Sequence, residues 1–105
     1  MVHGGERTSH AEEVLAVVER IPRGKVMTYK DVSEYVGWGS GRTVGAVMSR
    51  HGHEVPWHRV VQSTGGPNPA APEEALRRLR RDRTPMRGDK VDMRLARWDG
   101  SENDG

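Results

Sequence analysis

The residues best equipped for chemistry stand in one run, Pro56-Trp57-His58-Arg59-Val60-Val61, where an indole, an imidazole and a guanidinium follow one another. Their neighbourhood is defined by what the chain lacks. There is no cysteine among the 105 residues, which removes disulfides, a thiolate nucleophile and a thiolate-held metal together. Nothing resembles an activated serine or lysine, so no catalytic residue is expected. His51, His53 and His58 are potential ligands, but no carboxylate or fourth ligand stands at a matching spacing, and His51 and His53 flank a glycine. Neither a metal nor any other cofactor is expected. What remains is contact chemistry, in which a planar indole lines a pocket and cationic groups supply donors.

Charge points to the class of contact. The formal net charge is only +2, yet residues 77 to 97 hold nine cationic side chains against Asp82, Asp89 and Asp92, while the stretch from Trp98 onward is acidic. Such a cluster suits a polyanion, although a solvated helix face reads the same way. Apolar residues make up 33% and phenylalanine is absent, so the core is thin and Trp38, Trp57 and Trp98 carry extra weight. No stretch approaches the roughly 18 apolar residues of a membrane span, and Met1 to His10 lacks the apolar run of a signal peptide. The expectation is a soluble, monomeric, cytoplasmic protein, nucleoid-associated if it binds DNA.

The elements that must position these residues are short. Ser9 and Glu12 have capping-box spacing ahead of Val14, Leu15, Val17, Val18 and Ile21, which predicts a helix to Arg20 ended by Pro22 and Gly24. Lys25-Val26-Met27 reads as a connector or brief strand. Thr28 caps a second helix from Tyr29 to Val36, with Asp31 in its first turn and Gly37 as its stop. Ser40 caps a third from Gly41 to Arg50, with Val44, Val47 and Met48 on one side. Two short helices joined by a glycine turn form a helix-turn-helix pattern. His51-Gly52-His53 reads as a loop, Arg59 to Gln62 as extended, and Thr64 to Ala71 as a flexible loop. Pro72 opens a helix to about Arg83 with Ala75, Leu76 and Leu79 inward. Residues 86 to 97 read as a hairpin around Arg87-Gly88-Asp89-Lys90. One domain over residues 1–100 and a disordered tail at 101–105 follow.

Four motifs in order then carry a resemblance: Ile21-Pro22-Arg23-Gly24-Lys25-Val26, Thr28-Tyr29, Arg42-Thr43-Val44-Gly45-Ala46-Val47-Met48, and Pro56-Trp57-His58-Arg59-Val60-Val61. Together they resemble the C-terminal DNA-binding domain of the O6-alkylguanine-DNA alkyltransferases. That family carries Pro-Cys-His-Arg-Val, with the cysteine accepting the alkyl group. Pro-Trp-His-Arg marks its sister group, the alkyltransferase-like proteins. The stretch Val91 to Asp99 looks like that group as well. The fold implied is mainly α with short β segments, a winged helix-turn-helix-like domain.

The resemblance also implies roles. Trp57 cannot accept an alkyl group, since indole has no lone pair comparable to a thiolate, and instead borders a pocket for an extruded base. Arg42 matches an arginine finger that enters from the minor groove and fills the space a flipped nucleotide leaves. Tyr29 matches a tyrosine that crowds the adjacent phosphate. Thr43, Gly45 and Ala46 lie on the recognition helix, where small residues permit close approach. Tyr29, Met48, Val55, Pro56, Trp57, His58 and Arg59 are the expected pocket residues, with His58 and Arg59 acting as structural hydrogen-bonding groups and Arg59 in a buried polar network.

The partner implied is double-stranded DNA containing O6-alkylguanine, bound without chemistry and marked for nucleotide excision repair proteins. The chain departs from the family in three places. The segment between Met48 and Pro56 is about two residues short, the asparagine hinge has no counterpart, and the lid loop carries Asn68, Pro69 and Ala70 where some relatives place an arginine. A helix-turn-helix transcription regulator of undamaged DNA is the alternative reading; it explains the charge and the helices but not Pro56-Trp57-His58-Arg59.

Overall fold

Three capped helices open the chain because each begins at a side chain that can satisfy exposed backbone donors. The structure, a computed structural model, describes residues 9–101. Helix α1 (His10–Arg20) starts at a reciprocal capping box between Ser9 and Glu12. Thr28 and Asp31 do the same for α2 (Tyr29–Val36), and Ser40 and Thr43 for α3 (Gly41–His51). Each cap contributes about 1 kcal/mol to a helix too short to persist alone. Gly37, at φ 99°, ends α2 in the left-handed conformation.

The three helices pack around one core. Val14, Val17, Val18 and Ile21 of α1 and its cap meet Val32, Val44 and Met48, closed by Met27, Val60 and Trp98. Full burial of one such aliphatic side chain stabilises by about 1.5–3 kcal/mol. Strand β1 (Met27–Thr28) pairs in parallel with β2 (Val60–Val61), Met27 beside Val60. This pairing links the helical part to the segment that carries Trp57. A second cluster of Val26, Val61, Leu79, Val91 and Ala96 seats helix α4 (Pro72–Arg81) and the hairpin of β3 (Met86–Arg87) and β4 (Lys90–Val91). A mainly helical domain with short strands results.

Four local expectations change. His51 continues α3, and Gly52–Glu54 forms a 3-10 turn where a loop was expected. Trp57–Arg59 is a second 3-10 turn, so the extended segment shrinks to Val60–Val61. The hairpin stops at Val91, because Asp92 accepts from the backbone N–H of Arg94 and caps a short helix α5 (Met93–Ala96). Helix α4 ends at Arg81, and Arg83 turns to φ 61° while Thr84 donates back to Leu79.

The loop after β2 is held rather than loose. The backbone N–H of Gln62 donates to the Gly66 carbonyl, that of Gly65 to the Gln62 carbonyl and that of Val91 to the Gly65 carbonyl, and the Gln62 amide donates to the Pro67 carbonyl at 2.8 Å. Gly65 sits at φ 90°, with the Val91 oxygen 2.5 Å from where a Cβ would stand, so only glycine fits. Leu76, expected inward, is half-buried. The expected tail falls almost wholly on residues 102–105, outside the described residues. No described helix is long and apolar enough to cross a membrane.

Candidate nucleic-acid interface

Helix α3 buries Val44 and Met48 and turns its other side outward. Arg42, Thr43 and Ala46 are exposed, as are Ser49 and Arg50 one and two turns on. The Arg42 side chain makes no hydrogen bond or ion pair among the described residues, so its donors are available to a ligand. Thr43 is committed locally: its hydroxyl accepts from the Ser40 backbone, donates to the Ser40 carbonyl and meets the His10 ring at 2.9 Å. Gly45 is the most informative position. A Cβ added there would meet nothing within 4 Å, so helix packing does not explain a residue that costs the helix about 1 kcal/mol against alanine.

Beside this face lies a cleft of about 750 Å³. Its walls are Tyr29 at the start of α2, Gly41, Gly45, Met48 and Ser49 of α3, Trp57, and the loop Asn68–Ala71. Burial raises the Tyr29 phenol above its ordinary range, so it stays a neutral donor. Trp57 is half-buried. The Arg78 guanidinium lies over its ring at 5.2 Å from the centroid, and the His58 ring meets it edge-on at 6.2 Å. Arg78 is itself steadied by a 2.7 Å bond from its Nε to Glu74. Asn68 accepts from the Ala70 backbone through Oδ1, which leaves its amide donors to the cleft.

Of the residues expected in the pocket, Tyr29, Met48 and Trp57 come together there, whereas Val55, Pro56, His58 and Arg59 do not line it. The reason is the 3-10 turn: with about three residues per turn, consecutive side chains leave in different directions. Trp57 faces the cleft, and His58 and Arg59 turn to the opposite side. Val55 packs against the core instead.

On that opposite side Asp82 is the hub. Its Oδ2 accepts from His58 Nε2 at 2.8 Å and from Arg59 Nε at 2.9 Å, and Arg23 Nε approaches Oδ1 at 3.4 Å. Arg59 also donates to the Ile21 carbonyl at 3.0 Å, tying the turn to the end of α1. Burial opposes the Asp82 charge, but the hydrogen bonds from Arg59 and His58 outweigh it and hold the carboxyl below its usual range. Burial lowers His58 despite the pull of Asp82 in the other direction. The imidazole is therefore neutral, donating from Nε2, and its buried Nδ1 has no partner among the described residues.

Ser49, Gly52, His53 and Gln62 also line the cleft and were not expected there, although the helical spacing from Gly45 to Ser49 and Gly52 marks the first two. Among the described residues no three histidines and carboxylates cluster as a metal site.

Residues 9–84 match the family described as 6-O-methylguanine DNA methyltransferase, DNA binding domain. The chain is 33% identical over 101 residues to the DNA base-flipping protein of Escherichia coli, covering 86% of this chain and 74% of that one. It is 47% identical over 57 residues to alkyltransferase-like protein 1 of Schizosaccharomyces pombe, covering 50% and 52% respectively. A methylated-DNA–protein-cysteine methyltransferase of Methanothermobacter thermautotrophicus is 40% identical over 63 residues, 58% of this chain and 35% of its own. The chain thus spans about half the length of several curated relatives it matches. In fold it is similar to S. pombe Atl1 crystallised with damaged DNA containing O6-carboxymethylguanine, with a TM-score of 0.72, 29% identity, and coverage of 84% and 93%.

Proposed function

This chain belongs to the family of the 6-O-methylguanine DNA methyltransferase DNA-binding domain, and we propose that it captures O6-alkylguanine in duplex DNA without repairing it. In this reading α3 lies in the minor groove, with Gly45 and Ala46 against the backbone. Arg42 enters the stack and hydrogen-bonds the cytosine left behind. Tyr29 crowds the phosphate of the target nucleotide, and the extruded base occupies the cleft against Trp57. Extrusion costs a few kcal/mol, least for a base already mispaired. Contact with an aromatic plane returns about 1–3 kcal/mol. The balance is narrow enough that a weakened pair decides it.

The observation that carries this reading is Trp57 on the wall of a 750 Å³ cleft, in a chain with no cysteine. The relative named a methyltransferase matches the same region, yet alkyl transfer needs a soft nucleophile that breaks the O6–carbon bond, and no thiolate exists in this chain. Binding therefore ends in a persistent complex, acting as a monomer in the DNA-containing cytoplasm and marking the site for nucleotide excision repair. The test is incubation with an O6-methylguanine duplex followed by intact-mass measurement. Retention of the duplex with unchanged protein mass supports the reading; a gain of one methyl group would refute it.

A further inference from the structure

Behind Trp57 lies a second, smaller cleft of about 310 Å³, lined by Arg23, His58, Arg59, Arg78, Arg81 and Asp82. It shares no lining residue with the lesion cleft or with α3. Two of its members, Arg78 and His58, touch the ring of Trp57, so it backs directly onto the lesion site. Four guanidinium groups line the cleft with one buried carboxylate, which only Arg59 and Arg23 among them approach, and the imidazole beside it is held neutral.

The donors are unequally used. Arg59 is spent on Asp82 and the Ile21 carbonyl. Arg78 uses Nε on Glu74, and Arg23 stands exposed with only its Nε near Asp82. Arg81 is exposed and makes no side-chain hydrogen bond or ion pair among the described residues. The terminal nitrogens of Arg23, Arg78 and Arg81 make no hydrogen bond among the described residues, although the Arg78 guanidinium also lies over Trp57. Guanidinium forks match carboxylate geometry in pairs, and arginine clusters are a recurrent way to hold acidic motifs.

We propose that this rear cleft docks an acidic segment of a protein that reads the lesion-bound complex, with carboxylates seated between Arg23, Arg78 and Arg81. The proposal rests on the lesion-capture reading for its context but is read out separately from it. A protein segment fits better than a second stretch of duplex. The site is concave and has room for one or two side chains, whereas a duplex presents a convex row of phosphates that would follow an extended stripe.

The test uses the full chain saturated with O6-methylguanine duplex, at near-physiological salt, titrated with fluorescein-labelled hexaglutamate and, as control, hexaglutamine. Hexaglutamate should bind and hexaglutamine should not. Arg81→Glu, alone and combined with Arg23→Gln, should weaken the peptide roughly tenfold or more, since a like charge then faces it. Arg81→Glu alone should change the preference for the lesion duplex over its guanine match by less than about twofold, as Arg81 belongs neither to the DNA face nor to the hydrogen bonds on Asp82. A charge-matched control, Arg87→Glu with Arg94→Gln, should barely affect the peptide. Absence of hexaglutamate binding, equal losses in both variant sets, or displacement of the duplex by the peptide would each overturn the proposal. A parallel fall in duplex affinity would assign the cleft to DNA phosphate instead. Tighter peptide binding after deletion of residues 102–105 would assign it to the chain's own acidic end. Lesion preference is measured without peptide, so its failure is separately visible.

Discussion

Replacing Asp82 by asparagine should destabilise the fold and loosen the lesion site together. The side chain is 6% exposed and faces three donors, with His58 at 2.8 Å, Arg59 at 2.9 Å and Arg23 at 3.4 Å. Asparagine keeps the shape but removes the charge and leaves one acceptor oxygen where the carboxylate offers two to Arg59, Arg23 and His58. Breaking a fully buried ion pair costs about 3–5 kcal/mol. Arg59 retains the Ile21 carbonyl and some water, with its side chain 18% exposed, so about 2–3 kcal/mol is the better figure, in line with hydrogen bonds to charged groups. For a domain of this size each kcal/mol moves Tm by about 4–8 °C, which gives a fall of roughly 10–20 °C by circular dichroism at pH 7.

The sign of the pH dependence follows from the same carboxyl. It is held below its usual range in the folded chain, so its contribution is present above the unfolded value of about 3.9 and is lost as pH falls through the folded value. The gap between wild type and Asp82→Asn should therefore narrow as pH drops below about 4. A Tm change under about 2 °C would refute the reasoning, because desolvation would then have cancelled the attraction.

Gly45→Ala should do the opposite of most mutations at a binding face. The new methyl meets nothing in the chain, so unfolding should become harder by about 0.5–1 kcal/mol, while duplex affinity falls roughly tenfold, or about 1.4 kcal/mol; unchanged affinity would remove α3 from the groove. His58, depressed by burial, favours the folded state above its unfolded value of about 6.5, and that stability is lost as pH falls through the folded value. His58→Gln should flatten the stability profile below about pH 6.5, checked by urea titration at a series of pH values. Gly65→Ala should lower Tm, since its Cβ would stand 2.5 Å from the Val91 oxygen at φ 90°; an unchanged Tm would mean the loop shifts freely.

How much of this the sequence disclosed depended on distance along the chain. The caps of α1, α2 and α3 were legible because Ser9, Thr28 and Ser40 act on residues three positions away. Trp57 and Tyr29 were placed through a motif, and the cleft does bring them together with Met48. The 3-10 turn was not legible: Trp57-His58-Arg59 before two valines has the composition of a strand, and the acceptor that holds His58 and Arg59 in the turn, Asp82, lies 24 and 23 residues away. A buried network for Arg59 was expected, but its acceptor lies 23 residues away. Asp82 looks like one more surface charge in an arginine run. The openness around Gly45 is a property of packing that no local pattern records.

The central claim, selective capture by Trp57 and Arg42, is tested most directly by fluorescence-anisotropy titration of matched duplexes holding O6-methylguanine or guanine. Near-physiological salt is needed because phosphate contacts inflate affinity at low ionic strength. The O6-methylguanine duplex should bind clearly more tightly than its guanine match. Trp57→Ala should reduce lesion affinity by about 1–3 kcal/mol while leaving undamaged DNA nearly unaffected, and Arg42→Ala should lose the preference. Equal binding of both duplexes by the wild-type chain would contradict it and leave a general DNA-binding domain.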